Sequence, residues 1–132
     1  MSVQKVLVAD DELEVLEVMV KRISAEGYQV IGAADGQEAW DKIQAEEPDV
    51  IVLDLNMPGL HGFEVLKRVR ESTMTKKWQP VIIVSAQNEL KDMQKGYELN
   101  ADHYIAKPCS VDDIIKAIKL MEGLIPQRIK ED

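Results

Sequence analysis

The stretch VLDLNMPGLHG, residues 52–62, begins as an interior strand and changes character at Asp54. Val52 and Leu53 suit a core, Asp54 puts a carboxylate at the strand's end, and Asn56, Pro58, Gly59 and Gly62 then bring turn formers. A carboxylate taken out of water is costly unless something compensates it. The residues beyond the ends of the other strands therefore decide how Asp54 is read.

Four further runs share the strand character: KVLVA (5–9), YQVIGA (28–33), PVIIVS (80–85) and HYIA (103–106). Several of the five are apolar without alternation, as expected for parallel strands covered by helices on both faces. Between them lie stretches at helical spacing. Leu16, Val20 and Ile23 make an apolar stripe, and Gly27 ends that helix. In DGQEAWDKIQAEEP (35–48), Asp35 reads as an N-cap, Glu38 as its capping-box partner, and Pro48 as the stop. A third helix is predicted over about 62–70 with Phe63, Leu66 and Val69 inward. A fourth covers about 89–99, closed by Asn100, which tolerates positive φ. The last starts behind Ser110 with Asp113 in the capping position and buries Ile114, Ile115, Ile118 and Met121. Five βα units joined by right-handed crossovers predict an α/β fold, a doubly wound five-stranded parallel sheet.

The 132 residues suit one domain. We place it at residues 1–124, with 125–132 (IPQRIKED) as a C-terminal tail or the start of a linker. Lys and Arg number 16 against 24 Asp and Glu, a net charge of −8. That balance disfavours direct nucleic-acid binding and adhesion to anionic lipid, which need clustered cations, and suits a metal ion or a cationic partner surface. Cys109 is the single cysteine, read as a free thiol, so no internal disulfide is available. The amino terminus lacks the long apolar run of a signal peptide, and no segment approaches a membrane span. A cytoplasmic chain with no membrane insertion is the expectation.

In open α/β sheets, sites form beyond the carboxyl ends of the strands. The first strand is followed by Asp10, Asp11 and Glu12, the third ends in Asp54, the fourth in Ser85, and the fifth leads into Lys107 and Pro108; the second offers only Ala33, Ala34 and Asp35. Each has an ordinary explanation: helix capping for the paired aspartates, turn formation for Asp54 and Ser85, a solvated side chain for Lys107. Gathered at one sheet edge they point to chemistry. Two like charges about 4 Å apart repel by about 4 kcal/mol at an effective dielectric near 20. Lys107 offsets one, and a hard divalent ion such as Mg²⁺ would neutralise the rest and make the pocket receptive to a phosphoryl group.

The motifs VADDE (8–12), VLDLNMPGLHG (52–62), VSA (84–86) and YIAKP (104–108) together resemble the response-regulator receiver domain, the CheY-like family of two-component signal transduction, from Lys5 to about Glu122. The resemblance implies a flavodoxin-like (βα)5 fold with strand order 2-1-3-4-5. It implies that Asp54 is the phosphoacceptor, taking a phosphoryl group from a sensor histidine kinase or a histidine phosphotransfer domain. Mg²⁺, with Mn²⁺ as a substitute, would be held by Asp10, Asp11, Asp54 and the backbone oxygen of Asn56. Lys107, carried by a cis Lys107–Pro108 bond, and Ser85 would contact the phosphoryl oxygens, with Ser85 and Tyr104 forming the switch. Asn56 and Gln87 would tune phosphoryl lifetime. The surface for a downstream protein target would be the fourth helix, fifth strand and fifth helix, bearing Lys91, Lys95, Lys116 and Lys119 among Asp92, Glu98 and Asp112. Dimerisation on activation is common among relatives. Such a domain catalyses its own phosphorylation and dephosphorylation but is a signalling domain, not an enzyme. The sequence departs from the usual pattern at Ser85, where threonine is common, at His61, where an acid is common, and at Asn100, where glycine is frequent.

Three alternatives remain. A phosphorylation-independent binding module would share the fold. A haloacid-dehalogenase-like phosphohydrolase also uses an aspartyl phosphate and Mg²⁺, but places its nucleophile after the first strand in an Asp-x-Asp arrangement, whereas Asp54 is on the third strand and precedes Leu55 and Asn56. A flavodoxin-like cofactor module would need a phosphate loop after the first strand, where this chain puts acids.

Overall fold

The computed structural model describes residues 4–55, 57–72, 78–86, 94–95, 97–98 and 100–129, with side chains through 124. Its strands are β1 (Lys5–Ala9), β2 (Gln29–Ala33), β3 (Val50–Asp54), β4 (Val81–Ser85) and β5 (His103–Ala106). Among the described residues the helices are α1 (Leu13–Ser24), α2 (Gly36–Glu46), α3 (Gly62–Glu71) and α4 (Val111–Ile129). Residues 94, 95, 97 and 98 are helical too, and Asn100 has φ 66°, as expected for the residue closing that segment. The rest of the helix predicted over 89–99, with Lys91 and Asp92, lies outside the described residues.

All strand pairs are parallel, in the order β2-β1-β3-β4-β5. Side chains alternate across a strand, and here the alternation builds two cores. Leu7, Ile51, Leu53, Ile83 and Tyr104 pack with Val65, Leu66 and Val69 of α3 and Ala39 and Ile43 of α2. Val6, Val8, Val52, Ile82 and Val84 pack with Met19 and Ile23 of α1 and Ile114, Ile115 and Ile118 of α4. Burying each such large side chain contributes about 1.5–3 kcal/mol.

The stripes differ from the expected ones by small rotations. Met19 is buried on α1, while Leu16 and Val20 are half-buried because they lean over the bare backbone of Gly32 on the outer strand. On α3, Val65 is buried and Phe63 only half-buried. The Asp35 carboxylate accepts from the Glu38 amide at 2.7 Å, and the Glu38 carboxylate reaches back to accept from the amide of Ala34, the residue before the cap, at 2.6 Å. At α4 the cap is Ser110: its hydroxyl accepts from the Asp113 amide at 3.1 Å, and Asp113 returns the bond from the Ser110 amide at 3.0 Å. Asp113 is thus the reciprocal partner rather than the cap. The helix continues through Pro126 to Ile129, so residues 125–129 of the expected tail or linker are helical. A proline in the last turns removes one ladder bond while its fixed φ still suits a helix.

The α1 side of the molecule is tied to α4 by three polar links: Arg22 to Asp112 at 2.6 Å, Lys119 to Glu26 at 2.7 Å, and the Tyr28 hydroxyl donating to Glu122 at 2.9 Å. Asp112 and Lys119, expected on the output surface, thus also take part in this seam while staying largely exposed. Burial, then the hydrogen bond to Glu122 and the charges of Glu122 and Glu26, push Tyr28 up to about 12. An unfolded tyrosine ionises near 10. The neutral phenol is favoured in the fold, so its contribution is complete below pH 10 and fades as pH rises through 12. Tyr28→Phe should remove a phenolate absorbance step centred near 12 and flatten the stability profile above pH 10. A lost step centred near 10 would mean that the link to Glu122 does not form.

Candidate functional site

The sheet's register delivers the site. Ala9 pairs with Leu53, so Asp10, the next residue, comes level with Asp54. Asp54 pairs with Val84 and Ser85 with Ala106, so Lys107 follows at the same edge. Alternation sends Asp10 and Asp54 to the face of Val8 and Val52, which α1 and α4 cover. Ser85, one residue on from Val84, belongs to the opposite parity, that of Ile83 and Tyr104.

Asp10 is 2 % exposed and Asp54 6 % exposed, burial that an ionised carboxylate does not tolerate alone. The Asp10 amide donates to Ala33 O at 3.0 Å, and its Oδ1 accepts from the Glu12 amide at 2.9 Å, which starts α1. Lys107 Nζ lies 3.4 Å from Asp10 Oδ2 and 3.1 Å from Asp54 Oδ2. Its backbone amide donates to Ser85 O at 2.7 Å, and the Lys107–Pro108 bond is cis, as expected. Burial alone would lower the Lys107 pKa, but the hydrogen bond and charge of Asp54, followed by those of Asp10, outweigh it and hold the ammonium above its ordinary value. Lys107 is thus charged throughout the physiological range.

Asp11 is exposed, yet carboxylate oxygens of Asp10, Asp11 and Asp54 all lie within 4.8 Å of one another. Among these four side chains, three carboxylates meet one ammonium. The all-oxygen donor set, two members buried and one reaching solvent, fits a hard cation that keeps several waters, as Mg²⁺ does. Asn56 and Gln87 lie outside the described residues.

The loop after Asp54 is held by close backbone packing. Gly62 donates to Leu55 O at 3.1 Å, and a Cβ at Gly62 would stand 2.7 Å from the Asp54 carbonyl oxygen. His61 caps α3, its Nδ1 accepting from the Phe63 amide at 3.1 Å. Sequence reasoning missed this role because histidine is not among the favoured caps. Beside the acids opens a cavity of about 410 Å³, lined by Val15, Met19, Val84, Cys109 and Ile114 and bounded by Asp54 and Lys107. Burial and the Asp113 charge push the Cys109 thiol up and outweigh the opposing pull of Lys107. Tyr104 is buried in the core at 7 % exposure and Ser85 at 0 %.

The model of the response regulator receiver domain family matches residues 6–119. The receiver domain of the Francisella response regulator 1452 is 33 % identical, with 91 % of this chain and 97 % of that one covered and a TM-score of 0.83. The chemotaxis protein CheY4 of Vibrio cholerae is 31 % identical over 90 % of this chain and 98 % of that one, with a TM-score of 0.82. A CheY-like receiver domain protein of Methanospirillum hungatei is 25 % identical over 96 % and 99 %, with a TM-score of 0.87. No described helix is long and apolar enough to cross a membrane.

If the acids repel as their spacing requires, Asp11→Asn should stabilise the protein in a chelating buffer. Screening at this exposed position reduces the gain to about 0.5–1 kcal/mol, or a melting temperature raised by about 2–6 °C. The same substitution should remove most of the rise that millimolar Mg²⁺ gives the wild type. A lower melting temperature in chelator would contradict the repulsion.

Proposed function

Since the chain belongs to the response regulator receiver domain family, we propose that it accepts a phosphoryl group on Asp54 from a histidine kinase or a histidine phosphotransfer protein. The observation that carries this reading is the Lys107 ammonium held 3.1 Å from Asp54 and 3.4 Å from Asp10, with Asp11 completing the acidic cluster.

In the transfer, an Asp54 carboxylate oxygen attacks the phosphorus of a phosphohistidine. An O–P bond forms, the P–N bond breaks, and the imidazole leaves with the electron pair and takes up a proton from solvent. Asp10, Asp11, Asp54 and the Asn56 carbonyl would hold Mg²⁺, which when bound supplies the charge stabilisation that phosphoryl transfer needs. Lys107 pairs with the waiting carboxylate at 3.1 Å and then turns to a phosphoryl oxygen as a compact point charge. Ser85 donates its hydroxyl to another oxygen.

That new bond biases a two-state element. Ser85 and Tyr104 share one face of the sheet, so a pull on Ser85 acts on the space around the Tyr104 ring. The surface that reads this out comprises β5, the segment 89–99 and the outer side of α4, including Lys116, with Lys95 and Glu98 exposed beside it. A downstream protein, or a second copy of the chain on activation, would dock there. Asn56 and Gln87 would set how long the phosphoryl group lasts.

Intact-mass measurement after incubation with Mg²⁺ and a small phosphodonor tests the reading. The wild type should gain one base-labile phosphoryl group, and neither Asp54→Asn nor the wild type in chelator should gain any. An adduct on Asp54→Asn would move the acceptor elsewhere. No adduct on either protein would favour a binding module that works without phosphorylation, and repeated turnover of phosphomonoesters would favour a phosphohydrolase.

A further inference from the structure

The corner joining β2 to α2 carries none of the site's chemistry, yet it touches both halves of the site. On one side Ala33 O accepts the Asp10 amide at 3.0 Å, fixing the backbone that presents Asp10. Gly36, three residues later and buried, meets the loop beyond Asp54: its amide is 3.5 Å from Pro58 O, and a Cβ built on it would fall 1.6 Å from Leu60 O and 2.5 Å from Leu60 C. No shift of a flexible side chain relieves an overlap with a carbonyl, so a larger residue must displace either the loop or the start of α2. The start of α2 is itself pinned by the Asp35 and Glu38 bonds, 2.7 Å and 2.6 Å, and Lys42 adds a 3.1 Å pair with Glu38. With the start of α2 pinned in this way, a larger residue at position 36 is expected to displace residues 58–60.

We propose that the β2–α2 corner, residues 33–38 with Gly36 at its centre, is a positioning element that sets the spacing between Asp10 and the Asp54 loop and thereby the affinity for the metal ion. The proposal rests on the metal-dependent reading of the site. Gly36 touches no reacting atom and acts through residues 58–60. A chain with a larger residue there folds the same sheet but presents a wider acidic cluster.

The test is a MgCl₂ titration of the full chain followed by amide NMR, at a temperature where circular dichroism shows each variant folded. Gly36→Ala should weaken Mg²⁺ binding by about tenfold or more and shift the amides of the 55–62 loop. Gly32→Ala, whose Cβ would find side-chain contacts of 3.4 Å or longer, is the control and should bind Mg²⁺ as the wild type does. If Gly36→Ala does not fold, Glu38→Gln, which loosens the corner from outside, should weaken Mg²⁺ binding about two- to fivefold. Unchanged affinity in a folded Gly36→Ala, or in Glu38→Gln when that is the variant available, overturns the proposal. Weakening in Gly32→Ala equal to that in Gly36→Ala also overturns it, since the effect would then be general destabilisation. A wild type that binds Mg²⁺ but takes no phosphoryl group sinks the transfer reading and leaves the corner's role to be decided by these affinities; a wild type that binds no Mg²⁺ sinks both.

Discussion

Lys107 holds two buried carboxylates together, and most of the molecule serves to make that contact possible. Asp10 and Asp54 come from β1 and β3, neighbours in the sheet, and Lys107 comes from beyond β5, two strands away from β3. A long side chain at the end of that edge strand spans the gap and reaches both acids. Without the ammonium, two carboxylates at 2 % and 6 % exposure would face each other in a poor solvent for charge. With it, the three carboxylates of the cluster still outnumber the ammonium by two charges, which is the condition that favours a divalent ion.

The two cores place the proposed acceptor and the groups of the proposed switch on different faces of the sheet. The acids project to the face packed by α1 and α4, while Ser85 and Tyr104 belong to the face packed by α2 and α3. In the proposed transfer, Lys107 from one face and Ser85 from the other would both act on the phosphoryl group. The α1 to α4 seam is bridged by Arg22 with Asp112 and Lys119 with Glu26.

Much of this was legible in the sequence because strand ends are legible. An apolar run that stops at Asp10, Asp54 or Lys107 fixes where each group sits once the strands are parallel and in order, and those assignments needed no side-chain detail. Rotation about a helix axis was less accessible. A stripe through Leu16 and Val20 and one through Met19 differ by about one residue, and the choice depends on Gly32 being bare on the strand beneath, a contact between distant positions. The same limit hid the partners of Asp112 and Lys119, which read equally well as free surface charges. His61 as a helix cap carried no propensity signal, and Gly36 looked like any glycine behind an N-cap, because its reason is a carbonyl 24 residues further on.

We propose that Asp11 and Asp54, with Asp10 completing the cluster, would hold one metal ion at the carboxyl edge of the sheet. Anomalous diffraction from crystals soaked in Mn²⁺ locates that ion directly. A single strong peak within coordination distance of both carboxylates, with Lys107 still beside Asp54, is the predicted result. Manganese bound only elsewhere on the acidic surface, with Asp11 and Asp54 unliganded, would contradict it.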